Sequence, residues 1–206
     1  MADFVTSLKE WQDLAGATLG GLISLLVALI VAYIPIRRED LTAAMLVAAN
    51  LVAARARQVT LRDLARSTSI TQDDYPYWLA EKLLQSRPKL STTYDSASMR
   101  IMSLDAHLAS HLTLFEVTIK EMDEKLERLA LDFDAARRKE PKPRSVDSVK
   151  ADSRLLADEL DALAKHASCA EKLITHLILS KSRRLNKLRR VFGLSAEEKK
   201  CLAALK

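Results

Sequence analysis

The sequence predicts an all-α chain: an N-terminal transmembrane helix followed by a cytoplasmic antiparallel coiled-coil helical hairpin with additional short helices. Three observations predict it. The stretch Leu14–Ile36 carries no charged residue; at about 1.5 Å per residue it makes a helix of roughly 34 Å, enough for a hydrocarbon core of about 30 Å. Leu108, Leu112, Phe115, Ile119, Met122, Leu126, Leu129 and Phe133 recur in steps of four and three. A second seam runs Leu156, Leu160, Leu163, Ala167, Ala170, Ile174 and Leu177, and both have the heptad spacing of coiled coils. Composition agrees: the 206 residues are 49% hydrophobic but only 5% aromatic, with 4 Gly and 5 Pro. Few helix breakers and no alternating β-branched runs or hairpin turns leave helices as the only repeated element.

Residues 1–13 are a short extracytoplasmic N-terminus and residues 14–36 the anchor. A cleaved signal peptide fits poorly, because it needs a basic start, an apolar core of about 7–15 residues and a small-x-small cleavage site. Here the start is acidic (Asp3, Glu10, Asp13 against Lys9), and Tyr33-Ile34-Pro35-Ile36-Arg37 offers no such site. Trp11 and Tyr33 stand about 33 Å apart along a helix and suit the two headgroup levels, with Arg37 and Arg38 beyond. Basic residues after the span (Arg37, Arg38, Arg55, Arg57, Arg62, Arg66) outnumber Lys9 before it. The positive-inside rule therefore places the N-terminus outside and residues 37–206 in the cytoplasm. Gly16, Gly20, Ser24, Ala28 and Ala32 recur every fourth residue. Small residues at that spacing let helix backbones approach closely in lipid, so the anchor is expected to pair with a second copy or another membrane helix.

Residues 37–95 form a juxtamembrane helix and connector. An Ala-rich segment from Asp40 to about Arg66 continues or bends from the anchor after Pro35. A polar break spans Ser67–Asp74, and a short helix with Pro76 in its first turn ends before Pro88. Tyr75, Tyr77, Trp78 and Tyr94 pack this connector onto its neighbours. The hairpin covers 96–192, with its tip near 139–146, where Pro141 and Pro143 forbid a continuous helix. Leu155, Leu173 and Ile178 beside the second seam call for a further helix over one side, supplied either by residues 40–66 or by a second copy. Gly193 ends the hairpin, and Ser195-Ala196-Glu197-Glu198 has the form of a capping box opening a last short helix within 193–206.

Chemistry is sparse. No GxGxxG, P-loop, HExxH, CxxC or GxSxG occurs, so neither an enzyme nor a cofactor is expected. His107 and His111 on the first seam, and His166, Cys169 and His176 on the second, share the c/g flank. His107, His111 and His176 are the residues that would form a zinc-type site, since neutral imidazoles are good ligands. No carboxylate or cysteine pair completes the set, and a c/g flank beside another helix is where moderately polar residues belong, so no metal is expected. Cys169 and Cys201 lie far apart in a compartment predicted to be reducing, and no disulfide is expected.

Charge is segmented within a formal net charge of +5. Residues 116–134 hold seven acids against three bases, a solvated face. Lys181, Arg183, Arg184, Lys187, Arg189 and Arg190 stand without an acid in 181–190. With Leu185, Leu188 and Phe192 on one side, this reads as a basic amphipathic helix for anionic lipid. Nucleic acid is disfavoured because no aromatic is interleaved for stacking.

The run Glu10-Trp11-Gln12-Asp13-Leu14-Ala15-Gly16-Ala17, closing on Arg37-Arg38, resembles the anchors of small uncharacterised bacterial membrane proteins. These carry a Trp-Gln pair before one N-terminal transmembrane helix. The resemblance covers about the first 40 residues and departs where Glu39-Asp40 follow the arginines. It implies a single-pass protein of a bacterial inner membrane, without implying an activity. The sequence thus points to a membrane-anchored scaffold or adaptor that binds a protein partner, self-associates through its anchor and touches membrane lipid. A lipid- or nucleic-acid-binding tether acting through 181–190 is the alternative.

Overall fold

A computed structural model describes the backbone of residues 2–138, 144–180 and 196–205, with side chains from Leu22 onward except Ala136 and Glu197. Its elements are α1 (Ala2–Ser67), α2 (Tyr75–Gln85), α3 (Tyr94–Met102), α4 (Ala106–Arg137), α5 (Val146–Ile174), a π-helical turn Thr175–Leu179 and α6 (Ala196–Ala203). Among the described residues every element is helical. The chain divides into two units, Met1–Thr42 and Ala43–Lys206.

The first unit is the N-terminal part of α1. Leu22 through Glu39 are exposed on all sides, and Pro35 lies inside the helix without ending it. Among the described residues no helix is long and apolar enough to cross a membrane. The expected span 14–36 is therefore not reproduced as such: the uncharged run whose side chains are described is Leu22–Ile36, shorter than the ~18–20 residues a span requires.

The second unit is a helical bundle. The remainder of α1 buries Ala44, Val47 and Leu51, and again Leu61 and Ala65, two short apolar stripes at helical spacing. It is joined to α5 by an Arg55–Glu171 ion pair, by Gln58–Asp161 at 2.7 Å and by Arg62–Asp161 at 2.6 Å. Residues 55–62 of α1 thus lie against α5, and Leu173 and Ile178 are both buried. Leu155 is not covered; it stays 49% exposed. α1 stops in a Schellman turn: Ile70 N–H bonds the Ala65 carbonyl at 3.1 Å and Ser69 N–H that of Arg66 at 3.2 Å. Ser69 takes the left-handed conformation there (φ 55°), where glycine is the usual residue.

α2 starts with a proline in its first turn and closes at Ser86, just before Pro88. Its buried Leu79, Ala80 and Leu83 pack against α4 and α5. The connector is held from both sides. Ser91 N–H donates to Asn50 Oδ1 and Asn50 Nδ2 to Ser91 Oγ, both at 3.1 Å, while Arg87 faces Asp123 at 3.4 Å. Two of the connector aromatics pack onto α4: Tyr94 lies beside Phe115, ring centroids 6.2 Å apart, and Tyr77 beside Phe133 at 4.8 Å.

α4 and α5 cross-link in opposite order along the chain, with a Lys125–Glu159 ion pair, Arg128–Asp152 at 3.9 Å and His111–His166 at 3.1 Å. They are antiparallel. The first long helix begins later than residue 96, because α3 is separate. Asp105 Oδ1 accepts the Leu108 N–H at 2.9 Å, an N-cap that restarts the helix after the break at 103–105. At the far end, Ser145 caps α5 by accepting the Ser148 N–H at 3.2 Å. The prolines of the tip, 141 and 143, lie outside the described residues. So do residues 181–195, which include the expected continuation of the second helix to 192, the basic segment, Gly193 and the capping Ser195. The described part of the second helix ends in the π-helical turn, Ser180 N–H bonding Thr175 O at 2.8 Å, with Ser180 extended.

Candidate functional site

The bundle end formed by α5, the π-helical turn, α6 and Arg55 of α1 borders an open cavity of about 580 Å³. A π-turn widens the helix by one residue and recurs at functional sites; here it carries His176 to the cavity wall. His176 Nδ1 stands 3.9 Å from Glu198 Oε1, and Glu198 is buried. Arg55 and Glu171, also lining the cavity, pair with each other. Ser168, Lys172, Thr175, Ser180 and Cys201 complete its polar wall.

Near Cys201 in that wall lies a pair of imidazoles. His111 on α4 is fully buried, and its Nδ1 meets Nδ1 of His166 on α5 at 3.1 Å. One ring must donate and the other accept, so the pair holds together only while at least one of these nitrogens is unprotonated. Burial first, and then the neighbouring His166, lower the His111 pKa to about 4. Burial and Lys165 lower that of His166 as well. The Cys201 main chain lies against the His111 ring and pulls its pKa the other way. One turn after His166, burial first, and then the neighbouring Cys201, push the Cys169 pKa up to about 12. A thiol so protonated is a poor nucleophile.

The sequence-derived candidates are distributed differently. Of His107, His111 and His176, only His111 enters the buried pair, and its partner is His166. His107 is half-buried and reaches His111 only as a weak electrostatic neighbour, while His176 belongs to the cavity wall. Among the described residues no group of three or more His, Cys, Asp or Glu is arranged to hold a metal ion. Ser24, Ala28, Ala32, Arg37 and Arg38 are exposed on α1, and Tyr33 is 46% exposed. The side chains of Trp11, Gly16 and Gly20 lie outside the described set, as do Lys181, Arg183, Arg184, Lys187, Arg189 and Arg190 altogether. One feature had no periodic signal: a clamp in which Arg144 bonds both Asp132 and Asp152. Against protein families, curated proteins and solved structures the chain shows no match.

Proposed function

We propose that this protein is a single-pass membrane-tethered helical adaptor. Its anchor is residues 14–36, its N-terminus faces outward from a bacterial inner membrane, and its bundle binds other proteins in the cytoplasm. The observation that carries this reading is the segment Leu22–Ile36, where Leu, Ile, Val and Tyr side chains are 46% to 64% exposed around the whole helix. A helix apolar on every side is covered by lipid or by other helices, since each such side chain gains about 1.5–3 kcal/mol on leaving water. The uncharged sequence continues back to Leu14, which brings the run to spanning length. Self-association rests on the strip Gly16, Gly20, Ser24, Ala28 and Ala32. A partner-binding role for the bundle is supported by the exposed acids Glu121, Glu124 and Asp134 of α4, which suit a basic protein surface.

The test is membrane fractionation of the full chain with carbonate extraction. The protein stays in the pellet, and Leu26→Arg with Ile30→Arg, each costing roughly 2.5–3.5 kcal/mol at a helix centre, moves it to the soluble fraction. Gly16→Ile with Gly20→Ile stays in the pellet but loses crosslinking between copies. Wild-type protein released by carbonate would end the anchor reading; unchanged crosslinking would end the pairing.

A further inference from the structure

We propose that the exposed side of α1 between Met45 and Val59 pairs two copies of this chain, parallel and side by side. A helix packed on a bundle turns one apolar stripe to the core and a polar face to water. This part of α1 is apolar on both sides. Ala44, Val47, Leu51 and Leu61 are buried. On the other side Met45, Val52 and Val59 stay 47% to 60% exposed, with Ala49 and Ala56 exposed between them. These five recur in steps of four and three, the spacing of a coiled-coil seam. Leu46 and Ala53 are exposed beside the seam and widen it. The next seam position is Asp63, which ends the apolar run.

Charge, pattern and size make the occupant a second copy. An interface between identical faces sets residues near their own counterparts, so a charged seam would repel itself. No charged residue occurs from Leu41 to Ala54, and Arg55 and Arg62, on the flank of the seam, are tied to Glu171 and Asp161 of α5. In a parallel pair each layer joins two identical residues, and the Ala49 and Ala56 layers let the backbones approach between the larger Met45, Val52 and Val59 layers. The seam is about 21 Å long on a helix about 10 Å across, so contact along it falls short of the roughly 1,200 Å² of a stable complex formed from solution. It suits an occupant already held alongside at high effective concentration. Two chains anchored through residues 14–36 meet that condition and run in the same direction, so this inference rests on the anchor reading proposed above. Counted back in sevens, the seam positions fall on Ser24 and Ala28 of the anchor strip, with Pro35 and Arg38 interrupting the repeat between.

Site-directed crosslinking of the full chain in its membrane tests this. Met45→Cys, Val52→Cys and Val59→Cys are compared with wild type, whose own cysteines are half-buried and buried, and with Glu121→Cys on the exposed side of α4. Under a mild oxidant the expected result is a disulfide-linked dimer at all three seam positions, several-fold above both controls. Adding Val59→Arg to Val52→Cys should abolish its dimer while leaving helicity by circular dichroism unchanged. Carbonate extraction of the same membranes separates this inference from the reading it rests on. Protein that stays in the pellet without seam dimers overturns the pairing and leaves the anchor in place; protein released by carbonate overturns both. Equal dimer yield at Glu121→Cys, or a seam cysteine linked only to a different protein, would each overturn the second copy as occupant.

Discussion

In the unfolded chain an imidazole takes up its proton near pH 6.5, whereas in the fold His111 does so near pH 4, held down by burial and by His166, with His107 and Lys165 adding to the effect and the Cys201 main chain opposing it. The unfolded state therefore binds more protons between those values. Stability is fully present above pH 6.5 and is lost as the pH falls toward 4, by about 1.4 kcal/mol per pH unit for each such proton. His166, whose pKa is also lowered, adds in the same direction. Urea unfolding at pH 7 and pH 5 should differ by about 2 kcal/mol from His111 alone. Replacing both rings, His111→Leu with His166→Leu, removes the polar pair together. It should preserve stability at pH 7 and flatten this dependence, because removing both partners leaves no orphaned group. A double variant with the wild-type pH slope would sink this account.

At the scale of elements, the α4–α5 pair depends on a residue of the tip. Arg144 donates from Nε to Asp132 at 2.9 Å and from Nη1 to Asp152 at 2.5 Å, and Asp132 is buried with its Oδ1 unpartnered. Arg144→Ala leaves that carboxylate buried without its cation and should cost about 3 kcal/mol. Arg144→Lys recovers part of this, since a point charge cannot reproduce the two-pronged geometry. A loss under about 0.5 kcal/mol for the alanine variant, the scale of an ordinary surface change, would show the clamp to be ornamental. Such a contact is illegible in sequence, where its partners lie twelve residues before and eight after and share no period with it. The seams were legible because burial on one helix face imposes a period that survives any detail of packing. The break at 103–105 was hidden for the same reason: Ile101 and Leu108 are both buried and seven apart, so the apolar phase runs through it. Asp105 was its one local signal. His111 was assigned to a half-polar flank of a two-helix seam, but it is fully buried and paired with His166.

For the whole molecule, α1 belongs to both units: its first part offers apolar surface on every side, and its second part is bound into the bundle through Arg55, Gln58 and Arg62. On the proposed anchor reading, the tether would keep the bundle near the membrane surface, where a basic segment would act at high local concentration. The six bases of 181–190 would each add roughly 1 kcal/mol of attraction to anionic headgroups within a Debye length. This is the alternative reading of how the protein works, and it separates cleanly from the adaptor reading. Residues 43–206, which form a compact unit, should bind vesicles containing phosphatidylserine weakly, with affinity falling steeply as salt rises. Changing Arg183, Arg184, Arg189 and Arg190 to Gln together should abolish that binding while leaving the unfolding midpoint unchanged. Equal binding to neutral vesicles would assign the contact to apolar surface instead. No binding to either would leave α1 as the sole membrane contact and the basic segment as a face for an acidic protein.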